Sequence, residues 1–336
     1  MKEIRARARE VMAGSCRVCP VCDGKACAGE VPGMGGLGTG SSFQANVKAL
    51  AGRRLNMRTI HDVVAPDPGV TLWGRAFDLP VLAAPVAGMP FNMGGRVPEP
   101  DYVLSVLAGC VQAGTLGGTG DGAPPFLHEA ALAAIKTLDG AGIPFFKPWE
   151  GEELERRLAL AAEAGATIAG IDVDAAGLVT LRQMGRPVSP KPVEKLRRIV
   201  DIAGMKFILK GIMTAADARL AVEAGADGLV VSNHGGRVLD HTPGTAEVLP
   251  EVAAAVKGRI VILADGGVRS GVDVLKMLAL GADAVMIGRP VAVAALGGGR
   301  EGVAAYFQQI KSELVSAMIL TGCAGATSAD RSLLFD

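Results

Sequence analysis

The stretch Glu223-Ala224-Gly225-Ala226-Asp227-Gly228-Leu229-Val230-Val231-Ser232 decides the fold. It joins the end of a predicted helix to a short apolar run through a glycine, which can end a helix in the left-handed conformation. An uninterrupted apolar run is typical of a strand buried on both faces, as in a parallel sheet covered by helices. Similar joints occur at residues 112–115, 163–166 and 279–282. They recur roughly every 50–60 residues, the spacing expected of two strand–helix units.

Eight apolar runs of strand length alternate with amphipathic stretches from about residue 80 onward. The predicted strands cover residues 81–84, 114–117, 143–146, 168–173, 207–210, 228–232, 260–264 and 284–288. The predicted helices cover about 101–112, 126–139, 151–164, 191–203, 214–224, 245–256, 270–280 and 300–320. Eight such units predict an α/β fold that closes into a (β/α)₈ TIM barrel. A duplicated Rossmann-type sheet would need its glycine fingerprint after the first strand, and residues 81–89 contain none.

The N-terminal 79 residues differ in composition from residues 80–336, which carry the alternating pattern. They hold four of the six cysteines and a glycine-rich run at residues 32–40. We therefore predict an N-terminal Cys/Gly-rich cap segment, residues 1–79, on the barrel rather than an independent domain.

Charge and hydropathy favour an enzyme that acts on small molecules. Lys plus Arg and Asp plus Glu both number 34, so no excess charge favours nucleic acid or an anionic membrane as a partner. The N-terminus is charged from the start, without a visible secretory signal, and no apolar stretch approaches the roughly 20 residues of a membrane span. We expect a cytoplasmic protein, and its Ala-rich helices are compatible with a homo-oligomer.

The segment Val231-Ser232-Asn233-His234-Gly235-Gly236-Arg237 follows the sixth predicted strand. Functional groups of a barrel gather at the C-terminal strand ends, so His234 and Arg237 are expected in one pocket. An imidazole is the natural general base near neutral pH, and a guanidinium can hold a carboxylate through two hydrogen bonds. This segment predicts a small carboxylate substrate; the competing interpretation is a glycine-rich turn beside a surface histidine.

Two further loops combine glycine with arginine: Asp265-Gly266-Gly267-Val268-Arg269 after the seventh predicted strand and Gly288-Arg289-Pro290 after the eighth. Loops at these two places form the usual phosphate site of such barrels, because backbone N–H groups and a helix N-terminus converge there. A phosphate site without a Rossmann or P-loop signature predicts a phosphorylated cofactor such as FMN.

Lys210 and a pair of aspartates end two other predicted strands. An inward-pointing Lys210 needs an anionic partner, and a cation beside the N1–C2=O2 edge of a flavin favours reduction. A Schiff-base lysine is the alternative, but it does not explain His234 together with Arg237. Asp174 is the candidate partner that orients His234, Asp172 is its competitor, and one of the two could instead cap a helix.

These motifs together resemble the FMN-dependent 2-hydroxy-acid oxidases and dehydrogenases, such as glycolate and lactate oxidase. The similarity is carried by residues 232–240, Lys210-Gly211, residues 265–269 with Gly271 and Asp273, residues 278–282 and residues 288–290. The resemblance implies an oxidoreductase, a flavoprotein in which His234 is the base, Arg237 binds the substrate carboxylate, Lys210 lies at the flavin and Asp174 lies behind His234. The FMN contacts that it implies come from Pro85, Val86, Ala87, Lys147, Lys210, Ser232, Asp265, Gly266, Gly267, Arg269, Gly288 and Arg289.

The segment after the third predicted strand departs from the family pattern. Where the family has a glutamine and then a tyrosine, this chain has Lys147 and Trp149. The family's N-terminal active-site tyrosine also has no counterpart, since the only tyrosines are Tyr102 and Tyr306. Trp149 is predicted to contact the substrate in place of the missing hydroxyl.

The expected reaction is oxidation of a 2-hydroxy acid to a 2-oxo acid, with the flavin reoxidised by oxygen or another acceptor. The first alternative is an FMN-dependent isomerase similar to type 2 isopentenyl-diphosphate isomerase, whose diphosphate substrate would suit Lys147. The second alternative is a non-catalytic flavin-binding or redox-sensing protein.

Cys16, Cys19, Cys22 and Cys27 place four thiols within twelve residues. The spacing resembles a loop that wraps an iron–sulfur cluster, and zinc is the other candidate metal. Redox-active thiols without a metal are the alternative interpretation.

Overall fold

The computed structural model describes residues 1–186 and 188–335 and contains a closed barrel of eight parallel strands. The barrel strands are β1 (Val81–Val86), β2 (Gly117–Thr119), β3 (Ile143–Phe146), β4 (Ile168–Asp172), β5 (Lys206–Ile212), β6 (Gly228–Val231), β7 (Val261–Ala264) and β8 (Ala284–Ile287). Each strand pairs with its neighbours in the chain, and pairing of Val285 with Val81 closes the ring. The predicted TIM barrel is therefore confirmed.

Helices surround the barrel and extend into the N-terminal segment. They are α1 (Lys2–Val11), α2 (Ser41–Gly52), α3 (Met89–Asn92), α4 (Glu99–Gln112), α5 (Pro125–Thr137), α6 (Glu153–Glu163), α7 (Val179–Gln183), α8 (Val193–Ala203), α9 (Ala215–Glu223), α10 (Thr245–Val256), α11 (Gly271–Ala279) and α12 (Arg289–Thr321). The eight predicted helices match α4–α6 and α8–α12, although α12 begins earlier than predicted and departs from helical geometry at Gly299.

One predicted strand, residues 114–117, was placed too early in the sequence. The connection between the preceding helix and this strand explains the difference. Gly114, Gly165, Gly225 and Gly281 all have positive φ, as expected of helix-ending glycines. After Gly114 the chain needs two more residues to enter the barrel, and Thr115 donates a hydrogen bond to the Val81 carbonyl on the way. The second strand consequently starts at Gly117 instead of residue 114.

Apolar side chains fill the barrel interior, and a small hairpin closes its N-terminal end. Inward-facing residues include Leu82, Phe145, Ile208 and Met286, all buried in one cluster. The antiparallel strands Val70–Leu72 and Arg75–Phe77 pack into the same cluster. This end of the barrel is therefore packed with apolar side chains, and the opposite end is left for the functional groups.

The N-terminal segment packs along the barrel and reaches its C-terminal mouth. Helix α1 lies against α12 so closely that a Cβ on Gly297 would clash with the backbone of Ile4. Further along, the Leu37 N–H donates to the Gly236 carbonyl at 2.8 Å. The two helices of this segment were not predicted from sequence. Within the described residues, every helix falls short of the length and apolarity that a bilayer crossing demands.

Candidate active site

A cavity of about 380 Å³ opens at the C-terminal ends of the barrel strands. This volume lies in the range of small-molecule and cofactor sites. Thirteen of the residues predicted from sequence line it: Pro85, Val86, Ala87, Lys147, Lys210, His234, Arg237, Asp265, Gly266, Gly267, Arg269, Gly288 and Arg289. The strand ends thus bring together groups that are far apart in the sequence, as the barrel topology requires.

His234 is held in an unusual backbone conformation by the loop after β6. Its φ is 57°, and Gly235 and Gly236 continue the left-handed run with φ of 64° and 77°. A left-handed conformation at a residue with a side chain is costly and persists only where the surrounding structure enforces it. The Ser232 hydroxyl supports the turn by accepting the His234 N–H at 3.1 Å.

Asp174, and not Asp172, is the partner of the imidazole. Nδ1 of His234 lies 3.0 and 3.1 Å from the two carboxylate oxygens of Asp174. We assign the Nδ1 proton from this contact, which leaves Nε2 as the basic nitrogen. The sequence left two candidates, Asp172 and Asp174. The structure pairs His234 with Asp174, which lies two residues after the end of β4.

The protonation state of His234 follows from its surroundings. Burial and the nearby Lys210 lower the pKa of the imidazole, and Asp174 opposes them. Because the pKa is lowered below its ordinary value, the ring is neutral at neutral pH and able to accept a proton.

A buried ion triad lies next to His234. The Nζ atoms of Lys147 and Lys210 lie 2.6 and 3.2 Å from the two oxygens of Asp172. Burial opposes the charge on Asp172, but the two lysines lower its pKa; burial likewise opposes the charge on Lys210, but Asp172, Asp174 and Asp265 raise its pKa. The Asp172 carboxylate therefore pairs with both ammonium groups. The three side chains together have a net charge of +1 beside the cavity.

Arg237 is held by the N-terminal segment and by Asn92 of α3. Its Nη1 donates to the carbonyls of Gly33 and Gly35, the latter at 3.2 Å, and its Nη2 donates to the Asn92 side-chain oxygen at 3.1 Å. Burial lowers its pKa to about 10, so it stays charged at neutral pH. Of the five N–H groups of a guanidinium, three are used in these bonds, and the other two can serve a carboxylate.

The wall formed by the loops after β7 and β8 fits the polar parts of FMN. Gly266 and Gly267 have φ of 93° and 86°, and a Cβ at either would collide with Thr245 or Asn46. Within the described residues, Asp265 Oδ1 and Arg269 Nε are buried without a hydrogen-bond partner. An unpaired acceptor and an unpaired donor on one wall match a ligand that carries both hydroxyl groups and a phosphate.

Trp149 and Ser232, two of the predicted site residues, lie outside the lining of the cavity. Trp149 does not line the cavity; its indole nitrogen donates to Asp121 at 2.7 Å, and its ring packs under Arg157. The buried Asp121 carboxylate satisfies the indole N–H, so the ring is fixed outside the lining of the cavity. Ser232 is also fully buried, and its hydroxyl donates to Asp265 at 2.8 Å, so it supports the wall without lining the cavity.

Other lining residues were missed because they come from distant, irregular segments. Val31, Pro32 and Met34 reach the cavity from the N-terminal segment, and Phe91 and Asn92 reach it from α3. No periodicity or motif in the sequence marks these positions. Only the glycine run at residues 32–40 gave a signal, as a predicted part of the cap.

The four N-terminal cysteines lie behind the arginines of the cavity wall. Arg269 Nη2 lies 3.7 Å from Cys22 Sγ. Burial raises the pKa of Cys16 and Cys27, neighbouring thiols add to this effect, and Arg289 opposes it. Among the described residues, no three of these sulfur atoms lie within 4.8 Å of one another.

Comparison with known proteins gives the same assignment as the geometry. The model of the FMN-dependent dehydrogenase family matches residues 33–123 and 127–336. The chain is 34% identical to a 4-hydroxymandelate oxidase from Amycolatopsis orientalis over 88% of this chain and 90% of that protein. It is 31% identical to an L-lactate oxidase from Lacticaseibacillus rhamnosus (strain LMS2-1) over 86% and 84%.

Solved structures of mandelate oxidase share the fold. One of them, a complex with benzoyl-formic acid, superposes with a TM-score of 0.78 at 30% identity, covering 99% of this chain and 97% of that one. A relationship of this extent covers the barrel, the cavity and most of the N-terminal segment. The chain belongs to the FMN-dependent dehydrogenase family.

Proposed function

We propose that this protein oxidises a 2-hydroxy acid to the corresponding 2-oxo acid, with FMN as the electron acceptor. The observation that carries the proposal is the pairing of a neutral His234, oriented by Asp174, with a charged Arg237 on the same cavity. Removal of a proton from a hydroxy acid requires a base and a group that holds the carboxylate, and one glycine-rich turn carries both. The named relatives that act on hydroxy acids support the same reaction.

Each side chain has a separate part in this proposal. Arg237 binds the substrate carboxylate with its two remaining N–H groups, and Nε2 of His234 accepts a proton from the substrate. Asp174 then stabilises the imidazolium that forms. Bound FMN supplies two-electron acceptance, while Lys210 and the glycine and arginine groups of the loops after β7 and β8 hold it. Oxygen or another acceptor reoxidises it.

The substrate side chain meets an apolar surface. Met34, Phe91, Leu127 and Leu181 line the cavity, and Tyr102 and Tyr306 are buried elsewhere. With no tyrosine hydroxyl among the lining residues described, the carboxylate anchor carries most of the polar recognition. We therefore propose a hydroxy acid with an apolar side chain over glycolate, because an apolar chain gains binding energy from burial.

The decisive experiment is anaerobic reduction of the bound flavin by a panel of 2-hydroxy acids. Loss of flavin colour with an apolar member such as mandelate or 2-hydroxyoctanoate is the expected result. Retained colour with every member would overturn the proposal and leave the isomerase or the non-catalytic flavoprotein. One argument for the isomerase fails, because Lys147 pairs with Asp172 and is not free to bind a diphosphate.

The Asp174→Asn variant tests how His234 is oriented. The amide offers Nδ1 no charge and can present its NH₂ group instead, so we expect the rate of flavin reduction to fall by about 10²- to 10⁴-fold. Activity requires neutral His234, so the rate rises with pH through the His234 pKa. Asp174 raises that pKa, so its removal should move this rise to lower pH. An unshifted pH profile would assign the titration to another group.

The cellular compartment, the domain organisation and the assembly state of the enzyme are part of this proposal. We propose a cytoplasmic enzyme that acts on a small carboxylate. A net charge of zero favours no nucleic-acid partner. We keep the division into a cap of residues 1–79 and a barrel of residues 80–336, and a homo-oligomer remains compatible with the Ala-rich helices. Size-exclusion chromatography with light scattering measures the assembly state directly.

A further inference from the structure

Four half-buried thiols are gathered on a loop that the reaction proposed above does not use. Cys16, Cys19, Cys22 and Cys27 lie between α1 and α2, and all four are free thiols. The loop is fastened by side chains of α1: Arg5 donates to the Cys19 carbonyl at 2.6 Å. Arg9 binds the carbonyls that follow Cys16 in the same way. The thiols are thus held near one another by a fixed loop without a disulfide among the described residues.

Three arginines separate this loop from the cavity, and none has an acidic partner within residues 1–186 and 188–335. Arg237 and Arg289 donate to backbone carbonyls, and Arg269 donates to a carbonyl and toward Cys22. Burying cations without anions is expensive. A flavin phosphate and a substrate carboxylate supply negative charge on the cavity side only. An anionic group bound by the thiols would supply negative charge to the three arginines on the side away from the cavity.

The separation of the sulfur atoms favours a cluster over a single metal ion. Thiolates around one zinc ion at about 2.3 Å lie roughly 3.8 Å apart in a tetrahedron. No three of these sulfurs come within 4.8 Å of one another in the described chain. An iron–sulfur cubane carries its ligands on four different iron atoms, so its thiolates lie farther apart than those of a single ion. Cys16, Cys19 and Cys22 also have the two-residue spacing of loops that wrap such a cluster, and we assign Cys27 as the fourth ligand.

We propose that Cys16, Cys19, Cys22 and Cys27 bind a four-iron iron–sulfur cluster beside the flavin cavity. The cluster with its four thiolates is an anion, and it faces Arg269 and Arg289 across the loop. This site lies outside the cavity that holds His234 and does not depend on which substrate the enzyme oxidises.

The test is chemical analysis of the full chain, purified without oxygen and with its FMN. We expect about four iron atoms and four acid-labile sulfides per chain, and a low-temperature EPR signal after reduction with dithionite. Zinc in place of iron would overturn the proposal, as would a folded protein that contains FMN and no metal.

The variant Cys22→Ser links the metal to the site. It should lose at least four-fifths of the iron and sulfide while it keeps one FMN per chain, which shows that the barrel has folded. Cys323→Ser is the matched control, since this thiol already donates to the Gly325 carbonyl and a hydroxyl can do the same. Iron retained in Cys22→Ser, or lost equally in Cys323→Ser, would contradict the assignment. These measurements need no hydroxy acid, so they stand apart from the test of the proposed reaction.

Discussion

Replacement of His234 by asparagine should slow reduction of the flavin by substrate about 10²- to 10⁴-fold, the contribution usual for a positioned general base. Asparagine is suited to the test because it tolerates the left-handed backbone at φ 57° better than most residues. It has no basic nitrogen, so the proton of the hydroxy acid has no acceptor at this position. The measurement is stopped-flow absorbance of the flavin band under anaerobic conditions.

Bound FMN is the internal control for this variant. Because His234 contacts Asp174 and leaves the phosphate wall untouched, the flavin content of His234→Asn should equal that of the native protein. His234→Ala should show the same loss of reduction, with lower stability from the strained backbone. Reduction at the native rate in either variant would remove His234 from the reaction.

Replacement of Arg237 by methionine should lower kcat/KM for a hydroxy acid by about 10²- to 10³-fold, or roughly 3–4 kcal/mol, because it removes a buried charged partner of the carboxylate. The effect should fall mainly on KM, since Arg237 binds the carboxylate in the substrate and in the transition state alike. Steady-state kinetics with the most active member of the substrate panel measures it.

The comparison that makes the Arg237 test specific uses an amide or ester of the same hydroxy acid. These neutral analogues lack the carboxylate that Arg237 binds. The native enzyme should therefore have a higher kcat/KM for the acid than for the amide, whereas the Arg237→Met variant should have similar kcat/KM values for both. Equal loss with both substrates would instead indicate a disturbed N-terminal segment, because Arg237 also holds the carbonyls of Gly33 and Gly35.

The barrel and its chemical groups could be predicted from sequence because both leave local signals. Most of the strands contain a continuous apolar run, and the glycines that end the preceding helices mark where alternate strands begin. His234, Arg237 and Lys210 stand directly after or at the end of such strands, so the topology alone brings them to one end. The resemblance to a known family supplied their roles, and the local pattern supplied their positions.

The parts that could not be predicted depend on contacts between distant segments. Helices α1 and α2 owe their packing to the barrel surface, and Trp149 is fixed outside the lining of the cavity by Asp121, from another loop, which accepts its N–H. The choice between Asp172 and Asp174 likewise depended on tertiary contacts, since Asp172 pairs with Lys147 and Lys210 and Asp174 contacts His234. None of these contacts is encoded in a short stretch of sequence, so only the folded chain reveals them.

The position of the N-terminal loop has a practical consequence for engineering. Val31, Pro32 and Met34 line the cavity but belong to no strand or helix of the barrel. Side-chain substitutions at these three positions would reshape this wall of the cavity and leave the carbonyls of Gly33 and Gly35 in place for Arg237. Substrate selectivity can then be altered without replacing His234 or Asp174.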